Sequence, residues 1–154
     1  MSTAPNAGRF PPLPPSRAAL WGGFLQRNEG FFASFVGLRL EEVRTDYARL
    51  RLPARPQLGQ PAGVVHGGAI ATLIDTVVVP AVGSALDEWR PLLTITMQVN
   101  YLAGIPVAHD AVAEGWVEQR GKSIVFCRVE VRDATTRRVA ATGSLVYKIA
   151  SRAG

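Results

Sequence analysis

The stretch from residue 68 to residue 85 constrains the fold of this chain more than any other part of the sequence. Its only ionisable side chain is Asp75, and most of its other residues are isoleucine, leucine, valine and alanine. A helix over this stretch would be apolar on nearly all sides, so it has to be buried by the rest of the domain. Aspartate is a poor residue for a helix interior, and an unpaired buried carboxylate is costly. Asp75 therefore needs either a structural partner or a chemical role.

His66, Gly67 and Gly68 stand at the start of this predicted helix. The first N–H groups of a helix have no partner within it, and glycine leaves them open to approach, so such a helix start favours a negative charge. The imidazole of His66 can donate a hydrogen bond at the same place. A purely structural alternative also fits: His66 binds the local backbone, Gly68 allows close helix packing, and Asp75 bonds to a neighbouring loop.

The spacing of Gly67 and Asp75 predicts how the two residues could act together. They are eight positions apart, which corresponds to about 12 Å along an α-helix axis. A base and an oxyanion donor must both lie within hydrogen-bond reach of one reacting carbonyl group. A single chain cannot provide that, so a shared reaction requires two subunits with antiparallel helices. The sequence therefore predicts a homodimer if both residues are catalytic.

The composition narrows the class of protein. With 154 residues, 47% of them apolar, the chain has the size and composition of one globular domain. Its net charge is +5, but the arginines are scattered, which argues against a nucleic-acid partner. One cysteine, Cys127, excludes an internal disulfide framework, and with only two histidines a structural zinc site is not expected. We therefore expect no metal. The proline-rich start lacks the apolar core of a signal peptide, and no apolar run approaches the length of a membrane span, so we expect a cytoplasmic protein with no membrane partner.

The order of the predicted elements indicates the fold class. Five of the eleven prolines lie in residues 1–15, which predicts a flexible tail followed by a single domain over residues 16–150. A helix over about 17–28, core aromatics at Phe31, Phe32 and Phe35, and strands over about 37–44 and 47–52 precede the long helix. Four further strands are expected at about 92–101, 110–120, 123–133 and 138–149. This order predicts an α+β domain with the long helix packed against a curved antiparallel sheet of about six strands, the last four forming a meander.

Four segments of the chain carry a resemblance to a known family. They are, in order, VVHGGAIATLIDT, TITMQVNYL, RGKSIVFCRVEVRD and VAATGSLVY. On these segments the chain resembles the hotdog-fold acyl-CoA thioesterases, in the branch that includes the phenylacetate-pathway enzymes. The resemblance covers about residues 37–149 and implies a hotdog fold. It also implies a homodimer and, by pairing of two dimers, a homotetramer.

The resemblance implies roles for the residues around the long helix. Asp75 corresponds to the base or nucleophile, the amide of Gly67 to the group that polarises the thioester carbonyl, and His66 to a residue that positions it, with the acid supplied by the partner subunit. A serine or threonine on the next strand orients the water or the acid, which corresponds to Thr94 or to Thr96. Some family members place the attacking water with an asparagine six residues before the histidine. This chain has Gln60 there, which keeps the amide but adds a methylene.

The resemblance further implies where CoA binds. Basic residues near a hairpin contact the CoA phosphates in the family, which corresponds to Arg120, Lys122 and Arg138. Gly121 and Ser123 lie alongside in sequence, and Gly68 stands at the helix start. CoA is part of the substrate, so no separate cofactor is expected.

The resemblance thus implies hydrolysis of an aryl or medium-chain acyl-CoA to free acid and CoA. Asp75 acts either by taking a proton from water or by attacking the carbonyl to form an anhydride. One alternative is a hydratase or dehydratase on the same fold, and the other is a protein that binds acyl-CoA without turning it over. The position of His66 directly before the glycine pair favours hydrolysis over the first, and the presence of Asp75 argues against the second.

Overall fold

The computed structural model describes residues 5–151. Short 3-10 helices at Ala7–Arg9 and Pro56–Leu58 accompany the main elements. These are the helices α1 (Pro15–Trp21), α2 (Phe24–Arg27), α3 (Phe32–Val36) and α4 (Gly67–Gly83), and the strands β1 (Arg39–Arg44), β2 (Tyr47–Leu52), β3 (Leu92–Tyr101), β4 (Ala111–Arg120), β5 (Ile124–Asp133) and β6 (Val139–Ile149).

The six strands form one antiparallel sheet in the order β1-β2-β4-β5-β6-β3. Helix α4 packs on one face of this sheet, and Leu73, Ile74, Val77 and Val78 on the helix are completely buried there. The expected α+β fold, with one long buried helix on a curved six-stranded sheet, is confirmed. Cys127 is buried in the same core.

The expectation of a four-stranded meander at the end of the chain is wrong for β3. This strand pairs with β6 at the edge of the sheet, whereas β4 pairs with β2. The physical reason is the crossover: α4 carries the chain from β2 on one side of the sheet to β3 at the opposite edge. Side-chain alternation predicts that a segment is a strand, but it does not predict which strand lies beside it.

Two glycines in the sheet allow α4 to approach closely. A Cβ atom at Gly143 on β6 would lie 2.6 Å from Ile74 Cγ2, and one at Gly115 on β4 would lie 2.8 Å from Val77 Cγ1. Contacts this short are not tolerated in a packed interior. The helix that carries Asp75 is therefore fixed against the sheet at two positions where only glycine fits.

The segment before β1 differs from the sequence expectation in two ways. The helix expected over about residues 17–28 is interrupted, because α1 ends at Trp21 and α2 begins at Phe24, with two glycines between them. Phe31, Phe32 and Phe35, expected in the core, are 68%, 63% and 79% exposed. The hydrophobic core is already closed on this side by buried residues such as Leu25 and Val36, which leaves these rings on the surface.

The prediction of a flexible tail over residues 1–15 does not describe residues 5–14. Ala7 is fully buried, and it packs with Phe10 against Tyr47 and Trp116. The main-chain N–H of Asn6 also donates to Glu114 Oε1 at 3.2 Å. Apolar contacts and hydrogen bonds to the outer face of the sheet thus hold this segment, despite its prolines. Residues 1–4 lie outside the described part of the chain.

Candidate active site

His66 caps the first turn of α4. This residue is the N-cap, with φ −61° and ψ 137°, and its Nδ1 accepts a hydrogen bond from the Gly68 N–H at 2.9 Å. Because Nδ1 is the acceptor, the neutral ring carries its proton on Nε2, which remains a donor. A Cβ at Gly68 would lie 3.0 Å from this Nδ1, so Gly68 makes room for the cap. Its own N–H is used within the chain rather than kept for a ligand.

In this first turn, the main-chain N–H of Gly67 is the one without a hydrogen-bond partner among residues 5–151. The N–H groups of Ala69 and Ile70 both bond to the His66 carbonyl, whereas the Gly67 N–H forms no hydrogen bond with any of residues 5–151. The Gly67 carbonyl accepts from the Tyr101 hydroxyl at 2.8 Å, and the Tyr101 ring lies beside the glycine Cα. A single unpaired N–H at the positive end of a helix dipole is suited to bind a developing oxyanion.

Asp75 lies eight residues further along α4 and is partly buried. Its Oδ1 accepts one hydrogen bond from Thr94 Oγ1 at 2.8 Å and one from the Tyr147 hydroxyl at 2.6 Å. Its Oδ2 has no hydrogen-bond partner among the described residues. The carboxylate is thus held at one oxygen and available at the other. The partly buried acid has the polar partners that its position requires.

A bulge in β3 places Thr94, and not Thr96, against Asp75. The pairing of β3 with β6 shifts register between these two residues, so that Thr94 lies opposite Tyr147 and Thr96 opposite Val146. Thr94 consequently faces the helix and reaches Asp75. No hydrogen bond joins Thr96 to Asp75.

Tyr147 is the residue of this cluster that the sequence analysis missed. It follows Leu145, Gly143 and Ala141 at the two-residue period of β6, and all four are buried. A tyrosine on the buried face of a strand needs a partner for its hydroxyl, and that pattern could have drawn attention to it. Burial, followed by the negative charge of Asp75, raises the pKa of Tyr147 above its ordinary value. The hydroxyl therefore stays protonated and able to donate.

A cleft of about 300 Å³ opens beside Asp75. Aromatic side chains account for much of its wall, together with Val79 and Leu92, and its polar groups include Asn28 and Arg90. The aromatic residues are Phe24, Phe31, Phe32 and Trp89. An apolar acyl group whose carbonyl reaches Asp75 would be accommodated here. Trp89 lies in this cleft, whereas Val78 and Val82 of α4 are fully buried in the core.

Gly67 lines a different cleft. This second cleft includes Gln60, Tyr101 and Gly104 but not Asp75. Gln60 is in a tight turn in which its Oε1 accepts from the Ala62 N–H at 3.3 Å, so the predicted water-positioning residue does lie near the predicted oxyanion donor. Within one chain, the acid and the donor belong to two separate surfaces on α4.

The predicted CoA-binding residues lie at both ends of α4. Arg120 donates to the Asp46 carboxylate and, at 2.9 Å, to the Val82 carbonyl near the C-terminal end of the helix. It thus has structural partners already, while Lys122 and Ser123 in the adjoining hairpin are exposed and Gly121 closes its turn through a bond to Ile124. Arg138 lines a cleft with Gly104 and Ala140, which also line the cleft of Gly67.

Within residues 5–151 there is neither a side-chain cluster of the metal-binding kind nor a membrane-spanning helix. No cluster of three or more histidine, cysteine, aspartate or glutamate side chains in this range could hold a metal ion. Within the same range, no helix has both the length and the apolar character needed to cross a membrane.

The long helix packed on a six-stranded antiparallel sheet is the hotdog fold; in this chain the helix carries an acid, and the glycine N–H at its start is open. The fold is shared with the PaaI protein from the phenylacetic acid degradation operon of E. coli, with a TM-score of 0.79 and 16% identity over 88% of this chain and 94% of that one. The chain belongs to the thioesterase superfamily, whose family model matches residues 62–140.

Two sequence relatives agree with this assignment. A Halobacterium salinarum protein named "Putative esterase" is 36% identical over 103 residues, which are 64% of this chain and 67% of the relative. The acyl-coenzyme A thioesterase 13 of Mus musculus is 26% identical over 81 residues. That match covers 53% of this chain and only 57% of the mouse protein.

Proposed function

We propose that this protein hydrolyses the thioester bond of an aryl or medium-chain acyl-CoA. The observation that carries the proposal is the Asp75 carboxylate, which is fixed at Oδ1 by two hydroxyl groups and lies beside an apolar cleft with Oδ2 unpaired. Membership of the thioesterase superfamily and similarity to a protein named as an acyl-coenzyme A thioesterase support the reaction class.

The active site is shared by two subunits in this proposal. Strand β3 is an edge strand of ten residues without a single charge, and its Leu93, Ile95 and Met97 are 52%, 53% and 38% exposed. A long, uncharged, exposed edge is a template for pairing with another strand. A second copy of the chain would cover it, and antiparallel α4 helices would then bring Gly67 of one subunit to Asp75 of the other. Within one chain the two residues are about 12 Å apart along the helix axis.

The residues of this shared site have distinct tasks in hydrolysis. Oδ2 of Asp75 takes a proton from a water molecule, whose oxygen attacks the thioester carbon, or attacks that carbon itself to give an anhydride that water then opens. The Gly67 N–H stabilises the oxyanion formed from the carbonyl oxygen. In the water route, collapse of the tetrahedral intermediate breaks the C–S bond, CoA takes the proton from Asp75 and leaves as its thiol, and the acyl group leaves as a carboxylic acid. In the direct route, breaking the C–S bond releases the CoA thiolate and forms the anhydride; the water that opens the anhydride gives the acid, the Asp75 carboxylate and the proton that the thiolate takes up. Gln60 and the Nε2–H of His66 help to place the water and the carbonyl.

The two halves of the substrate bind on opposite sides of the reacting bond. The acyl group occupies the aromatic cleft beside Asp75, whose rings suit an aryl group or a chain of medium length. The CoA part follows the cleft of Gly67 toward Arg138, where its phosphates meet positive charge. In an antiparallel dimer, Lys122, Ser123 and the rest of the Arg120–Ser123 hairpin approach this region from the other subunit.

The test is release of free thiol from a panel of aryl and fatty acyl-CoA thioesters. We expect the native protein to hydrolyse at least one of them and Asp75→Ala, at the same oligomeric state, to lose that activity. Retained hydrolysis by Asp75→Ala would contradict the assignment of the acid. Binding of acyl-CoA without thiol release would support the non-catalytic alternative, and addition of water to an enoyl-CoA would support a hydratase.

A further inference from the structure

The hydroxyl group of Tyr147 lies against Asp75 from the side of the sheet. Its oxygen is 2.6 Å from Asp75 Oδ1 and 2.8 Å from the main-chain oxygen of the same residue. Tyr147 is 1% exposed, so its ring cannot swing away without disturbing the core. The single hydroxyl proton is therefore confined between two oxygens of Asp75.

Thr94 makes the second contact to the same carboxylate oxygen. Its Oγ1 is 2.8 Å from Oδ1, and it lies opposite Tyr147 in the pairing of β3 with β6. Two donors on one oxygen fix the torsion angle of a carboxylate that would otherwise rotate freely. They leave Oδ2 as the oxygen that is free to act beside the aromatic cleft.

We propose that Tyr147 is a positioning residue of the active site. Together with Thr94 it holds Oδ1 of Asp75 and so presents Oδ2, rather than either oxygen at random, to the water or the thioester. This role rests on the proposed hydrolysis. Tyr147 takes no part in bond making and touches neither the substrate nor the attacking water.

A merely structural tyrosine needs only one acceptor for its hydroxyl, and the main-chain oxygen of Asp75 already supplies one. The two roles differ in what the hydroxyl does to turnover. If the hydroxyl only satisfies a buried polar group, its removal affects stability. If it orients Oδ2, its removal affects kcat as well, because misplacement of a reacting group by a fraction of an ångström to 1 Å slows the chemical step.

Tyr147→Phe removes the hydroxyl and keeps the ring. We expect kcat to fall by about ten- to a hundredfold, with KM nearly unchanged because the acyl and CoA surfaces are intact. The matched control is Tyr47→Phe: Tyr47 is also fully buried and also donates to a carboxylate, Glu114 Oε1 at 2.8 Å, but on the outer face of the sheet. This control should lose stability and keep kcat. Native kcat in Tyr147→Phe, or an equal loss in both variants, would overturn the proposal.

A second measurement does not depend on the folding of Tyr147→Phe. The chain has three tyrosines, so protein labelled with carbon-13 at the phenolic carbon gives three signals, and Tyr47→Phe and Tyr101→Phe assign them by difference. Asp75→Asn neutralises the proposed partner while leaving the main-chain acceptor in place. We expect it to shift the Tyr147 signal and not the Tyr47 signal. An unmoved Tyr147 signal would refute the side-chain contact.

The two proposals fail in different ways. If the native protein releases no thiol from any acyl-CoA, the proposed function is wrong and the positioning role falls with it. If the native protein is active and Tyr147→Phe is equally active, hydrolysis stands and the positioning role alone is refuted.

Discussion

At the residue scale, a one-residue bulge separates Thr94 from Thr96: both lie in β3, but only Thr94 reaches Asp75. Hydrogen bonds to charged groups contribute about 1.5–3 kcal/mol, so we expect Thr94→Val to lower kcat by roughly ten- to a hundredfold. Thr94→Ser, which keeps the hydroxyl, should restore most of the activity. Thr96→Val is the matched control and should behave as the native protein in the thiol-release assay. Equal losses in Thr94→Val and Thr96→Val would show that the strand, not the hydroxyl, matters.

At the scale of elements, the contact of α4 with β6 positions Asp75. Gly143→Ala would place a methyl group 2.6 Å from Ile74 Cγ2, and such overpacking costs about 1–3 kcal/mol. We expect a lower midpoint of denaturant unfolding at equal protein concentration. Gly8→Ala, where nothing lies within 4 Å, should leave the midpoint unchanged.

A double variant tests the same contact. Ile74→Ala combined with Gly143→Ala should lower the free energy of unfolding by less than the sum of the two single changes, because Ile74 Cγ2 is then no longer there to clash. Strict additivity would mean that this contact does not limit stability.

At the scale of the whole molecule, the separation of Gly67 from Asp75 predicts complementation between two inactive chains. Gly67→Pro removes the N–H, and Asp75→Ala removes the acid. Proline is accepted at the first position of a helix, and the extended conformation of His66 is one that can precede a proline. Each variant is expected to be inactive alone. Mixed by unfolding and refolding together, they should recover about one quarter of native activity, because half of the dimers are mixed and each of those has one complete site.

Gly67→Ala is the control for this mixture. It brings the same Cβ near the Tyr101 ring but keeps the N–H, so it should retain activity alone. A mixture that stays inactive, with both chains folded and dimeric, would place the complete site within one subunit.

Several features of this protein could be read from the sequence alone. The apolar stretch around Asp75 has no stable place except the interior, so the buried helix α4 was predictable, although Asp75 itself is only partly buried. The unpaired N–H of Gly67 follows from the start of any helix. The strands β2 and β3 begin and end where side-chain alternation predicts. Each of these features depends only on residues that are close together in the sequence, within a helical turn or two or within one strand.

Only the tertiary structure decided which distant residues meet. Tyr147 reaches Asp75 across 72 positions of the chain, Thr94 is chosen over Thr96 by the register of β3 on β6, and β3 lies at an open edge because α4 crosses the sheet. The packing of Ala7 and Phe10, within the proline-rich segment, against Tyr47 and Trp116 is a contact of the same kind. Local periodicity and capping act between neighbours in sequence, whereas strand order and the partners of a buried polar group depend on how the whole chain closes around its core.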